Sequence, residues 1–186
     1  MHPERRMLQR GDILKLTSTG KAAGYSATQI ALHWVVAGLV LFQLLFGESM
    51  GAVRRATRRG LEPDPSDVWL SDMHYWVGLS IILLVLIRIA ARWRFGVPAA
   101  MREDWTARAA SALHALFYVL LVATPMTGLL ACYYPSLLGE LHELSKPVFI
   151  VLITLHAAAA LWHQFVDRDG TLARMLPAAW TKGNRP

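Results

Sequence analysis

His142-ELSKPVFIVLITLHAAAALW-His163 sets three histidines into a segment that is otherwise almost wholly apolar. Its length is close to that of a membrane-spanning helix, which needs roughly 20 residues to cross about 30 Å of hydrocarbon. His142 and His156 stand fourteen residues apart. On an α-helix that is about 21 Å of rise, with the two side chains within roughly 40° of one face. A soluble core helix has no evident need for two such histidines. A membrane helix holding a metal centre near each surface does.

The composition fits a membrane protein better than a soluble one. Hydrophobic residues make up 54% of the 186-residue chain and charged residues only 17%. The apolar residues fall into four blocks, each long enough to span a bilayer. We therefore expect an all-α fold, a four-helix transmembrane bundle with both termini cytoplasmic. The expected division is a basic extension over residues 1–24, one four-helix domain over 25–177 and a tail over 178–186. The formal charge of +6 would suggest nucleic acid in a soluble chain. Here the basic residues flank apolar blocks and read as topology signals, so nucleic-acid binding is not expected. A single cysteine, Cys132, excludes an internal disulfide. No small-residue cleavage pattern follows the first apolar run, so that helix is expected to act as its own targeting signal.

The extension carries Arg5, Arg6, Arg10, Lys15 and Lys21, with His2 as a solvent-facing histidine. Helix one is expected from Ser26 or Thr28 to about Phe46, with Ser26 as N-cap and Gln29 completing a capping box. It holds His33, Trp34 as an interfacial anchor, and Gly38, where a flat group or another helix can approach. The connection from about Gly47 to Ser71 reads as a solvated or headgroup-facing loop containing Arg54, Arg55, Arg58 and Arg59. Pro63, Asp64 and Pro65 in it form a turn. Helix two is expected from Ser71 to Ala91, with His74 in its first turn and Arg88 inside the apolar run, snorkelling or paired with an anion. From Arg88 to Arg108 the net charge is +3, which assigns this side to the cytoplasm.

Helix three is expected from Ala109 to Tyr133, with His114, Tyr118 and a bend at Pro125. The short loop after it makes helices three and four antiparallel neighbours. Helix four is expected from Glu140 to Val166. The outer end of this helix carries Glu140, Glu143 and Lys146, net −1, and residues 167–186 carry net +2, with Trp162 and Trp180 as surface anchors.

The histidines divide between two depths. His74 and His142 lie towards the outer surface, His33 and His156 deeper towards the cytoplasm. Zinc would require ligands converging on one point. Imidazoles facing each other across a four-helix core instead suit bis-histidine haem, stacked twice across the membrane for electron transfer. Depth alone leaves His163, seven residues beyond His156 on nearly the same face, almost as good a match for His33. Its other readings are an interfacial histidine, a propionate contact or a proton acceptor near a quinol site.

At these residues the chain resembles the bacterial cytochrome b561 family. The resemblance runs over residues 25 to 177. It is carried by YSATQIALHW (25–34), DMHYWVG (72–78), HALFYVLLVATPMTGL (114–129) and LHAAAALWHQFVDRDGTLARMLP (155–177). It implies four transmembrane helices and two b-type haems, one shared by His33 and His156, the other by His74 and His142. It also implies placement in the bacterial inner membrane and exchange with a ubiquinone or menaquinone pool in a respiratory chain, with superoxide as a candidate donor. The alternative is a haem-binding anchor subunit passing electrons between quinone and a separate soluble or membrane redox partner. Tyr118 and His114 are candidates for a quinone pocket, and Arg88, Arg92 and Arg108 for propionate or headgroup contacts. The N-terminal extension and the arginine-rich first connection depart from the compact family outline.

Overall fold

A computed structural model describes residues 25–96, 105–131, 133–134 and 137–176. The expected basic extension with His2, the lone Cys132 and the tail with Trp180 lie outside these residues. Among the described residues the chain is all helix. The elements are α1 (Ala27–Phe46), α2 (Glu48–Arg58), α3 (Pro65–Phe95), α4 (Trp105–Leu130) and α5 (Leu137–Trp162). A π-turn over His163–Asp167 and a short 3-10 turn over Leu172–Met175 follow.

Four helical stretches are long and apolar enough to cross a membrane: Ala27–Arg58, Pro65–Phe95, Trp105–Leu130 and Leu137–Asp167. They pack in a chain of neighbours, α1 on α3, α3 on α4 and α4 on α5. The core is a narrow column of Val36, Val40, Ile81, Val85 and Phe149, with Phe117, Tyr118 and Ile153 against it. Among the described residues Val85 alone of the large side chains is fully buried (0%), whereas Leu45, Leu83, Val119 and Leu155 stand more than half exposed. A soluble bundle this size would bury far more. Here the outward apolar surface belongs against lipid, where exposing it carries no hydrophobic penalty.

Local sequence explains the helix ends. Ser26 accepts from the Gln29 N–H (3.2 Å) while Gln29 Oε1 accepts from the Ser26 N–H (3.0 Å), the reciprocal capping box expected for α1. The Gln29 amide is buried and donates onward to the Gly96 carbonyl (3.0 Å), tying the start of α1 to the end of α3. Gly96 closes α3 at φ 73°, a conformation open to glycine.

The first connection corrects the loop reading. Its residues 48–58 are helical, with Ser49, Ala52, Val53 and Ala56 turned inward and the arginines outward. That i, i+3, i+4, i+7 spacing was overlooked because the charges dominate the run. The Pro63–Pro65 stretch also starts a helix instead of only breaking one. Asp64 accepts from the Ser66 N–H (2.8 Å) as N-cap and Pro65 occupies the first helical position, where its missing N–H costs nothing. Helix α3 therefore begins six residues before the expected Ser71. His74 lies in its third turn, not its first.

Candidate functional site

At the end of the bundle expected to face outward, α3 and α5 bring His74 and His142 together with ring centroids 5.9 Å apart. Two glycines make room for these rings. A Cβ on Gly128 would lie 2.8 Å from His142 Cε1, and one on Gly47 would lie 3.3 Å from His74 Cε1. His142 Nδ1–H donates to the Thr124 carbonyl (2.9 Å), next to Pro125 inside α4. This bond fixes the tautomer and leaves Nε2 as a lone-pair donor. The Gln43 amide donates to the His74 carbonyl (2.9 Å), and His74 Nδ1 is buried without a partner among the described residues. Two exposed ion pairs join α2 to the turn of α5 just after His142. Arg54 meets Glu143 at 3.0 Å and Lys146 meets Glu48 at 2.6 Å. Part of the arginine-rich connection thus serves to hold α2 in place.

At the inner end, α1 and α5 place His33 and His156 with ring centroids 6.3 Å apart. His114 of α4 lies 5.2 Å from His156 by the same measure and donates Nδ1–H to the Ala110 carbonyl one turn back (2.6 Å). Phe117 packs edge-on against His156. Arg88 reaches this cluster from α3 and donates Nε–H to the Tyr118 hydroxyl (3.2 Å). Gly38, expected to admit a helix or a flat group, has nothing within 4 Å of where its Cβ would be, so no helix has closed on it.

His163 faces different company. Its Nδ1–H donates to Asp169 Oδ2 at 2.7 Å, with Asp167 Oδ2 at 3.2 Å. The π-turn and the left-handed Arg168 (φ 51°) bring these two carboxylates back to one ring. Asp169 also accepts the Thr171 N–H through Oδ1 (2.9 Å). Partial burial alone would raise the Asp169 carboxyl, but hydrogen bonds from Thr171 and His163 outweigh it and hold the group below its ordinary value. A cleft of about 580 Å³ beside this turn is lined by Gln164, Phe165, Arg168, Gly170 and Ala173. In the sequence Asp167 and Asp169 count only as tail charges; the Asp-x-Asp-Gly turn signal is what marks them as partners for a nearby ring. Trp34 donates Nε1–H to the Met175 carbonyl (2.8 Å), so the expected interfacial anchor also clamps the segment after α5.

Two histidine pairs thus face each other at two levels of the helix bundle, and residues 24–178 match the family described as prokaryotic cytochrome b561. The chain belongs to that family. It is similar to cytochrome b562 of Cereibacter sphaeroides, 38% identical over 157 residues, covering 82% of this chain and 95% of that protein. Cytochrome b561 homolog 1 of Escherichia coli is 27% identical over 179 residues, covering 82% and 97%. A probable superoxide oxidase, CybB, of Yersinia pestis is 27% identical over 177 residues, covering 82% and 96%. The cytochrome is thus a haem-binding b-type electron-transfer protein with membrane-spanning helices.

The residues present fit haem b. Separations of 5.9 and 6.3 Å between ring centroids leave room for one metal held from both sides by imidazole nitrogens at about 2 Å. Open space at Gly38 suits a flat macrocycle. The buried, unpartnered Nη1 of Arg88 offers a charged donor to a carboxylate.

Proposed function

We propose that this cytochrome carries electrons across the bacterial inner membrane through two b-type haems, in exchange with the quinone pool. In this reading His33 and His156 would hold the iron of the inner haem, and His74 and His142 that of the outer. The observation that carries it is the pairing of histidines from different helices at two depths, each pair spaced for one metal. When bound, haem iron supplies the reversible one-electron change. The chain would hold the imidazoles, and it sets the His142 tautomer through the Thr124 carbonyl.

Quinol chemistry also needs a proton site. His163, tethered through Nδ1 to Asp169 at the inner end of α5, keeps Nε2 free to exchange a proton, and the neighbouring cleft is where a quinone head would sit. The relative named as a probable superoxide oxidase supports superoxide as electron donor at the outer haem. Basic residues after α3 and after α5 support a cytoplasmic inner end with both termini on that side.

The test is made on the purified protein. A redox titration should show two low-spin b-type components per chain, and His156→Ala should remove one of them. Retention of both in His156→Ala, with loss of one in His163→Ala, would overturn the ligand assignment. The same preparation should pass electrons from superoxide to a soluble quinone analogue. Failure of that transfer, with a redox subunit copurifying, would make the chain a membrane anchor for that subunit instead.

A further inference from the structure

Arg88 is a cation placed where a membrane protein tolerates one only for a reason. It sits within the apolar run of α3, seven residues before the helix ends at Phe95. Charged groups at such depth are paired or functional. Its Nε donates to the Tyr118 hydroxyl (3.2 Å), a neutral partner that leaves the charge uncompensated. Its Nη1 is buried and has no hydrogen-bond partner among the described residues. The guanidinium lies within electrostatic range of His33, His114 and His156. No carboxylate of the chain is recorded in a salt bridge with it among the described residues. What the site lacks is an anion with oxygen acceptors, on the same side of the bundle as the inner histidine pair.

We infer that Arg88, braced by Tyr118, binds a propionate carboxylate of the inner haem and holds that haem's reduction potential above the value it would otherwise have. This rests on the haem assignment proposed above. An arginine fork matches a carboxylate in two parallel hydrogen bonds, which would satisfy the orphaned Nη1. Tyr118, anchored in the core between α3 and α5 neighbours, restricts the side chain so that little rotamer freedom remains to be lost on binding. A fixed positive charge stabilises the reduced, more electron-rich iron. A unit charge about 12 Å away at an effective dielectric near 20 changes a one-electron equilibrium about tenfold.

The experiment compares wild type, Arg88→Gln, Arg88→Lys and Tyr118→Phe by haem content per chain and by spectroelectrochemical titration. The inner haem is identified as the component missing in His156→Ala. Arg88→Gln is expected to keep two haems and to lower the inner potential by about 59 mV, the tenfold change for one electron. The outer component should stay in place, Arg88→Lys should fall between, and Tyr118→Phe should give a smaller shift of the same sign. An unchanged inner potential in Arg88→Gln would overturn the inference and point to a lipid phosphate as the anion. Equal shifts of both haems would overturn it as well. Should Arg88→Gln lose the inner haem, its return in Arg88→Lys supports the inference, and its absence there reduces Arg88 to a folding element. Wild type without two haems would fail the functional reading itself, a different result from any of these.

Discussion

At the scale of single residues, Gly128 decides whether the outer pair can exist. A methyl group there would sit 2.8 Å from His142 Cε1 and 2.9 Å from Nδ1, closer than real Cβ atoms approach, and helix α4 backbone cannot easily retreat. Gly128→Ala is therefore expected to displace the imidazole and lower the haem-to-protein ratio towards half, with helical circular dichroism retained. Gly51→Ala serves as the control, since only the mobile Arg55 guanidinium lies near (3.1 Å). Equal haem content in both variants would sink the argument. Asp169 makes a second residue-scale prediction. Its folded-state carboxyl lies below the ordinary 3.8, so its contribution to stability is complete above that value and disappears as pH falls through the lower, folded one. Limited proteolysis after α5 should accelerate only below about pH 4, and Asp169→Asn should be insensitive to that range. Acceleration already near neutral pH would assign the tether to another group.

Elements show how the site is held. Pro125 has no N–H to return to the Leu121 carbonyl, so the continuous helix α4 lacks one backbone hydrogen bond there, and the adjacent Thr124 carbonyl accepts both the Thr127 hydroxyl (2.8 Å) and the His142 ring (2.9 Å). Pro125→Ala should tighten this turn, alter the hydrogen bond to His142 and shift the electron paramagnetic resonance signature of one low-spin haem only. Identical spectra would show that the proline has no bearing on the ligand. The segment after α5 depends on α1 in a similar way. Trp34→Phe removes the bond to the Met175 carbonyl. A net hydrogen bond contributes about 0.5–1.5 kcal/mol, so tryptic cleavage at Arg174 should rise roughly two- to twelvefold. No change would mean that the His163–Asp169 tether alone retains the segment.

For the whole molecule, one narrow core column and a broad apolar exterior are what a bundle in lipid requires. The charge distribution along the chain then sets orientation. A phosphatase reporter fused after Pro186 should be inactive and a fluorescent reporter bright, whereas phosphatase inserted at Gly60 should be active. The opposite pattern would invert the bundle and exchange the inner and outer assignments of the two histidine pairs.

The four spans and the capping box at Ser26 and Gln29 were legible from the chain alone, through apolar length and cap chemistry. Spacing divided the histidines between two depths, and the family resemblance named His33, His74, His142 and His156 as the candidate ligands. Helix α2 was obscured because a short amphipathic helix rich in arginine looks like a charged loop until α3 covers its small-residue face. The early start of α3 was hidden by a proline that breaks helices from within but suits their first turn. Spacing alone did not separate His156 from His163; the family resemblance pointed to His156, and the tertiary structure sets that ring beside His33. Spacing puts both on one face of one helix. The packing of α1 against the bundle brings His33 to the first, and the π-turn folds Asp167 and Asp169 back on the second. Rise per residue is a property of the chain, whereas which neighbour meets a side chain depends on where other helices stop and turn.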